Sequence, residues 1–164
     1  MMQARYMSMN QLTRRLRAAD LLVEEVIPDV SVSGITDDSR NVSAGDLFCA
    51  WSGSSVDAHA FVGSAAQAGA AAALVEHAVS DVDIPQIVVR DGRRAAAIAA
   101  SVFFAEPEHS LRLIAVTGTN GKTTTKDLLR AVLSPKYRVN ATKGNFNNLV
   151  GAPLRQAASR AGAR

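Results

Sequence analysis

The sequence has little cysteine, few aromatic residues and no long apolar run. Its single cysteine, Cys49, excludes an internal disulfide, and its place in the apolar run 47–51 predicts a buried, reduced thiol. Aromatic residues make up 5% of the chain, too few for the stacked rings of single-strand nucleic-acid binders. No segment approaches the ~20 apolar residues of a membrane-spanning helix, and the N-terminus lacks the apolar stretch of a signal peptide. We therefore expect a cytoplasmic monomer that binds neither nucleic acid nor a membrane.

Charge, composition and length further limit the kind of protein and the number of domains. The 18 basic and 15 acidic residues, a net charge of +3, are scattered along the chain and form no basic block. With 48% apolar and 20% charged residues, the composition is that of a globular protein with a packed core. A chain of 164 residues fits one domain, or a small domain plus the start of another, and excludes two large ones.

The apolar pattern predicts helices and strands in alternation. Predicted helices cover residues 9–22, 57–68 and 93–105, and predicted strands cover residues 30–35, 47–51, 70–76 and 84–90. Asp57 is placed to cap the second helix and Gly69 to end it, while residues 36–40 suit a polar loop. Such alternation requires a sheet covered by helices, so the predicted fold class is α/β.

A second unit begins after a short charged stretch with a proline, residues 106–110. Beyond it the pattern predicts a strand over 111–116, a glycine-bearing turn over 117–121, a helix over 122–133, a strand over 137–141 and the start of a helix over 153–161. We accordingly predict one domain over residues 1–108 and the beginning of another over residues 109–164.

The turn between strand and helix carries the strongest chemical signal. It reads Thr117-Gly118-Thr119-Asn120-Gly121-Lys122-Thr123-Thr124. Glycines let successive backbone amides face an anion, and the helix that follows adds the positive end of its dipole. Lys122 is placed to reach the outer phosphates of ATP as the catalytic group, and the Thr123 hydroxyl to ligate Mg²⁺. We predict that these eight residues bind Mg·ATP.

The loop also suits two other interpretations. It could be a plain glycine turn with an accidental lysine and threonine, or part of an unrelated P-loop kinase or GTPase. The segment Asn-Lys-x-Asp with which GTPases read guanine is absent from the sequence. Val116 stands where the general P-loop pattern has its first glycine, which predicts a shortened loop.

This shortened loop resembles the ATP site of the Mur ligases, which join an amino acid or dipeptide to a UDP-linked muramoyl peptide in peptidoglycan synthesis. Upstream, residues 38–48 and 57–61 are similar to the family's N-terminal domain, which holds the UDP end of the substrate. The resemblance covers nearly the whole chain. It implies a small α/β substrate-binding domain followed by the start of a P-loop ATPase domain with a parallel sheet.

Two members of the family compete. Residues 143–148 and 151–154 resemble the ligase that adds D-alanyl-D-alanine (MurF). Residues 103–107, 111–113 and the Thr-Gly-Thr-Asn-Gly form of the loop are similar to the ligase that adds the third residue, diaminopimelate or lysine, to UDP-MurNAc-L-Ala-D-Glu (MurE). The asparagine-rich segment 143–148 is the rarer pattern, so the first member is favoured.

The resemblance also implies a reaction, in which ATP phosphorylates a substrate carboxylate to an acyl phosphate that the incoming amine attacks. Ser39, Arg40, Asn147 and Asn148 are the candidate substrate-binding residues, although each pair also suits an ordinary polar turn. His59 is interpreted as a surface or packing residue rather than a catalyst. The family usually has Asp-Gly-His where this chain has Asp57-Ala58-His59, so a glycine needed for the backbone is expected to be missing.

The family's acidic and histidine metal ligands, its modified lysine and its amine-binding third domain all follow the matched region. We therefore expect this chain to be an incomplete, inactive fragment of a longer enzyme. The alternative from another class is a binding module that holds a uridine nucleotide or ATP without catalysis.

Overall fold

The computed structural model describes residues 6–23, 29–54, 56–105, 112, 114–139 and 141. Its strands are β1 (Met7–Ser8), β2 (Ser31–Val32), β3 (Gly34–Thr36), β4 (Asp46–Cys49), β5 (Ala72–Val75) and β6 (Gln86–Val88). Its α-helices are α1 (Met9–Ala18), α2 (Val62–Gln67), α3 (Gly92–Phe103) and α4 (Lys122–Leu133). The predicted α/β class is confirmed.

Four strands form a parallel sheet in the order β3-β4-β5-β6. Side chains of successive strand residues point to opposite faces, so Leu47 and Cys49 pack with α1 and α3, while Phe48 and Ala50 pack with α2. Every residue of β4 and β5 is buried. Burial on both faces explains why these strands read as continuous apolar runs in the sequence.

Helix α3 packs on the sheet through alanines. Ala95, Ala96, Ala99 and Ala100 are all fully buried, at spacings that place them along one side of the helix. Asp91 caps the helix, because its carboxylate accepts a hydrogen bond from the Arg94 amide at 2.9 Å. The side of α3 that faces the core is therefore built mainly from short side chains.

The chain leaves α1 earlier than predicted. Asp20 adopts a left-handed backbone conformation with φ 55°, and the Leu21 amide donates to the Leu16 carbonyl at 2.9 Å. Leu21 is thereby buried outside the helix. The predicted helix over residues 9–22 therefore ends at Ala18, with the last leucines contributing to the core from an extended segment.

That extended segment pairs with residues 88–90, at the carboxyl end of β6. Leu22 forms an antiparallel bridge with Val89, and the Val23 amide donates to the Val88 carbonyl at 2.9 Å. The Arg90 amide in turn donates to the Leu21 carbonyl at 2.9 Å. Residues 21–23 thus occupy hydrogen-bonding groups at the sheet edge.

Two other predicted elements differ in detail. The strand predicted over residues 30–35 is divided at Ser33, because β2 pairs with β1 in a small antiparallel sheet whereas β3 joins the main sheet. The helix predicted over residues 57–68 starts as a 3₁₀ turn, Ala58–Phe61, and becomes α-helical only at Val62. Gly69 ends it as predicted, with a φ of 100°.

In the second unit, α4 has the predicted bounds of 122–133. The predicted strands over 111–116 and 137–141 are not strands at residues 114–116 and 137–139. The Tyr137 amide instead donates to the Leu133 carbonyl at 2.8 Å, which continues the last turn after α4. The predicted helix over 153–161 and the predicted boundary at 106–110 lie outside the described residues. Among the described residues, no helix has the length and apolar character needed to cross a membrane.

Candidate functional site

The loop before α4 has the backbone that its glycines predict. Gly118 has a φ of 145° and Gly121 a φ of 76°, both in the region that side-chain-bearing residues rarely adopt. Gly121 occupies the N-cap position, and its carbonyl accepts the first helical hydrogen bond from the Thr125 amide at 2.8 Å. The chain therefore turns from the loop directly into the helix at this glycine.

The first turn of α4 is open to an anion. Gly121 has no side chain with which to cap the amides of the first turn, and no acidic residue lies in that turn. Uncapped amides at a helix N-terminus, together with the helix dipole, favour a phosphate or another anion. All residues from Thr117 to Thr124 are exposed, so a ligand can reach these groups.

The ammonium group of Lys122 lies over the loop. Its Nζ donates to the Gly118 carbonyl and, at 3.2 Å, to the Thr119 carbonyl. The long side chain is thereby folded back toward the amide-lined turn instead of extending into solvent. Thr123 follows as the second residue of α4 with an exposed hydroxyl. The structure therefore brings the eight predicted nucleotide-binding residues into one exposed turn.

These residues fit Mg·ATP chemically. A triphosphate needs backbone amides, a cation and a hydroxyl ligand for Mg²⁺, and the loop offers all three from Gly118, Lys122 and Thr123 with their neighbours. A side chain at Gly121 would meet no atom within 4 Å, so the glycine is needed for its backbone angle and not for space. The requirement is conformational.

A second group of candidate residues lies at the carboxyl end of β3. Asp38 caps the 3₁₀ turn Ser39–Asn41 by accepting from the Arg40 amide at 3.1 Å. The Arg40 guanidinium binds the same carboxylate through two hydrogen bonds, Nε to Oδ1 at 2.8 Å and Nη2 to Oδ2 at 2.7 Å. These bonds to Arg40 lower the pKa of Asp38 from 3.8 to about 2. Arg40 is thus held in a fixed orientation while 86% of its side chain remains exposed.

His59 is buried and its ring is hydrogen-bonded on both sides. Nδ1 lies 2.5 Å from Asp57 Oδ1, and Nε2 accepts from the Glu76 amide at 2.9 Å. Nε2 therefore carries no proton, and Nδ1 donates to the carboxylate. The hydrogen bonds from the His59 amide and ring lower the pKa of Asp57. The interpretation of His59 as a packing residue agrees with this arrangement.

The expected need for glycine at position 58 is wrong for this backbone. Ala58 begins the 3₁₀ turn and is not among the residues with positive φ. Its side chain packs against the core beneath α2. Alanine is therefore accommodated without strain.

Asp57, His59 and His77 could suggest a metal site, since their ligand atoms lie within 4.8 Å of one another. The two imidazoles are stacked, with centroids 3.8 Å apart and planes inclined by 23°. A metal ion lies near the plane of each imidazole that binds it, and nearly parallel planes do not meet at bonding distance. Both ring nitrogens of His59 are also engaged. The cluster is a hydrogen-bonded support and not a metal centre.

Glu76 is a residue that the sequence analysis missed. Its carboxylate accepts from the Ser52 amide at 3.0 Å and from the Gly92 amide at 2.8 Å. One side chain after β5 thereby connects the segments that follow β4 and β6. The available sequence signal was an acidic residue directly after a fully buried strand. Asn147 and Asn148, by contrast, lie outside the described residues.

Comparison with known proteins places these features in a family. Residues 116–163 match the family model of the Mur ligase middle domain. The UDP-N-acetylmuramoyl-L-alanyl-D-glutamate--2,6-diaminopimelate ligase of Listeria monocytogenes is 40% identical over 145 residues, which are 88% of this chain and 29% of the relative. The chain belongs to the Mur ligase family. Its resemblance to that family, stated from the sequence, is confirmed.

Solved structures of Mur ligases share the fold. MurF from Acinetobacter baumannii superposes with a TM-score of 0.74 at 34% identity, over 93% of this chain and 33% of that one. The MurF ligase of Thermotoga maritima in complex with ADP gives a TM-score of 0.64 at 32% identity, over 75% of this chain and 28% of that one. The chain therefore spans about a third or less of the length of these Mur ligases.

Proposed function

We propose that this chain supplies the UDP-substrate and ATP-binding parts of a ligase that adds D-alanyl-D-alanine to a UDP-N-acetylmuramoyl peptide through an acyl phosphate. The observation that carries the proposal is the loop 117–124, which opens onto the uncapped N-terminus of α4 with Lys122 held over its carbonyls. A relative of 32% identity was solved in complex with ADP, which supports a nucleotide at this loop.

Each residue of the loop has a task in this proposal. The amides around Gly121 hold the β-phosphate, and Lys122 offsets the negative charge that grows on the transferring phosphoryl group. The Thr123 hydroxyl is the protein ligand of Mg²⁺, whose charge neutralisation assists the same transfer when the ion is bound. Catalysis here rests on positioning and electrostatics, and no nucleophilic side chain is required.

The proposed division of labour follows the chain. Residues 1–108 form the domain that binds the UDP end of the substrate, and residues 109–164 begin the ATP-binding domain. In the first domain, Ser39 and Arg40 lie at the carboxyl end of β3, the side of a parallel sheet on which ligands usually bind. Asp38 fixes the orientation of Arg40 through Nε and Nη2, which leaves the other donors of the guanidinium to face a diphosphate.

The choice of D-alanyl-D-alanine rests on two observations. The solved MurF structures superpose at 32–35% identity, and residues 143–148 carry the asparagine-rich pattern of that member, with Asn147 and Asn148 as proposed substrate contacts. The second candidate, addition of diaminopimelate, is favoured by the Listeria relative at 40% identity. The acceptor peptides differ by one residue, so a UDP-muramoyl tripeptide and dipeptide distinguish the two.

Calorimetric titration of this chain with Mg·ADP tests the nucleotide site. The wild type is expected to bind, and Lys122→Ala to bind at least about tenfold more weakly, since a charge-assisted phosphate contact is worth roughly 1.5–3 kcal/mol. Lys136→Ala is the matched control, because Lys136 is an exposed lysine beyond α4 that lies 5.7 Å from the Tyr137 ring centroid. Equal affinities of Lys122→Ala and the wild type would contradict the proposed role of the loop.

Titration with UDP and with the two UDP-muramoyl peptides tests the other domain. Tighter binding of the tripeptide supports D-alanyl-D-alanine addition, and tighter binding of the dipeptide supports diaminopimelate addition. Binding of UDP without any binding of Mg·ADP would make a non-catalytic uridine-nucleotide module the better description.

A further inference from the structure

We propose that Glu76 is a positioning residue for the nucleotide end of the substrate, and this inference rests on the proposed function. Its carboxylate fixes the β4 loop, defined here as residues 51–54 and 56–57, beside the β3 turn, residues 37–41. The ligand class is a uridine diphosphate held between these two segments. Glu76 itself contacts only protein backbone in this role.

The topology puts the two segments side by side. β3 and β4 are neighbouring parallel strands, with Thr36 opposite Phe48, so the β3 turn and the β4 loop leave the same edge of the sheet. Ligands of open parallel sheets bind beyond the carboxyl ends of the strands. Between these segments a nucleotide would meet the fixed Arg40 guanidinium on one side and the β4 loop on the other.

The β4 loop is a tight turn whose start is anchored by Glu76 and whose end is anchored by Asp57, which accepts from the amide and the ring of His59. The Gly53 amide donates to the Val56 carbonyl at 2.9 Å, and Ser52 forms an antiparallel bridge with Asp57. These contacts set the shape of the loop but do not attach it to the sheet. The Ser52 amide supplies that attachment at the start of the loop by donating to Glu76 Oε2 at 3.0 Å.

Glu76 is in turn held at two further points. Its Oε1 accepts from the Gly92 amide at the start of α3, at 2.8 Å, and its own amide donates to His59 Nε2 at 2.9 Å. Gly92 has no room for a side chain, because a Cβ there would lie 2.7 Å from Trp51 Cβ. The β4 loop, the end of β5 and the start of α3 are therefore connected through one carboxylate. Loss of that carboxylate releases the start of the loop, while Asp57 still holds its end, and removes no proposed ligand contact.

The test measures the affinity of the chain for UDP in Glu76→Gln and Glu76→Ala. Glutamine retains one oxygen acceptor for the two amides, whereas alanine retains none. We expect the dissociation constant to rise in the order wild type, Gln, Ala, with about a tenfold rise for Ala, equivalent to about 1.4 kcal/mol. Hydrogen exchange at the Ser52 amide should accelerate in the same order.

Gln86→Ala is the matched control. Gln86 also fixes a loop by two hydrogen bonds, accepting from the Val79 amide and donating to the Val79 carbonyl, both at 2.8 Å. It lies at the amino end of β6, whereas the proposed nucleotide site lies beyond the carboxyl ends of the strands. It should lower stability to a similar extent as Glu76→Ala and leave UDP affinity unchanged.

The outcomes separate the two claims. Weaker UDP binding in Glu76→Ala, but not in Gln86→Ala, supports the positioning role. Wild-type affinity in Glu76→Ala, or an equal loss in both variants, overturns it and leaves the proposed function intact. A wild type that does not bind UDP overturns the proposed substrate domain, and the positioning role with it.

Discussion

Replacement of His59 should show how much the buried hydrogen-bond network stabilises the first domain. His59→Ala leaves the Glu76 amide without its acceptor, which costs about 1–3 kcal/mol for a buried group. It also removes the bond to Asp57, whose side chain is 52% exposed and regains water, so this loss adds little. Because the buried ring is lost as well, the free energy of unfolding is expected to fall by roughly 2–4 kcal/mol.

Two variants separate the contribution of the His59 hydrogen bonds from those of its ring volume and its stacking on His77. His59→Phe keeps a ring of similar volume and removes only the acceptor and donor, so a loss of about 1–3 kcal/mol is expected. His77→Ala removes the stacked ring at 3.8 Å but leaves both hydrogen bonds of His59 in place. Because His77 is exposed, its removal should cost less than about 1 kcal/mol.

Urea unfolding followed by the fluorescence of Trp51, the single tryptophan, measures these losses. With a slope of about 1–3 kcal/mol per molar urea, a loss of 3 kcal/mol moves the midpoint by about 1–3 M. Equal midpoints for His59→Phe and the wild type would refute the reasoning, because they would show that the buried amide does not need its acceptor.

Three further predictions concern single groups. Arg40→Gln should raise the Asp38 pKa from about 2 toward 3.8 in a carboxyl NMR titration. In the wild type, the stabilisation from this carboxylate is complete above pH 3.8 and is lost as the pH falls through about 2. Gly121→Ala places a Cβ at a φ of 76°, which costs about 1–2 kcal/mol. Calorimetry should therefore show Mg·ADP binding weakened about 5- to 30-fold. The control Gly63→Ala, where a Cβ meets nothing within 4 Å, should leave Mg·ADP binding unchanged. Cys49 should react with a thiol reagent in urea but not in the native protein, since burial raises its pKa and blocks access.

Sequence patterns correctly predicted those elements that depend only on residues close to one another in the chain. The helix over 122–133 follows from a glycine turn and regular apolar spacing, and the buried strand β4 follows from an uninterrupted apolar run. The break at Ser33 could not be predicted, because alternation over residues 30–35 is the same whether the two halves join one sheet or two. Strand pairing is decided by distant residues.

The nucleotide loop could be predicted from the sequence, whereas the role of Glu76 could not. The nucleotide loop is continuous in sequence, so its residue types and spacing indicate its chemistry directly. Glu76 binds the amides of Ser52 and Gly92, which lie 24 and 16 residues away along the chain. Only the order of the strands brings these groups together, so the position of this glutamate directly after a buried strand could indicate that it is unusual but not which amides it binds.

Residues 21–23, which pair with residues 88–90 at the carboxyl end of β6, have a consequence for association between copies of the protein. An open strand edge displays unpaired backbone groups and is a template for intermolecular pairing and aggregation. Here the bridge from Leu22 to Val89 and the bond from Val23 to Val88 occupy those groups with the chain's own backbone. The early end of α1 at Ala18 therefore helps to prevent a strand of another molecule from pairing with residues 88–90.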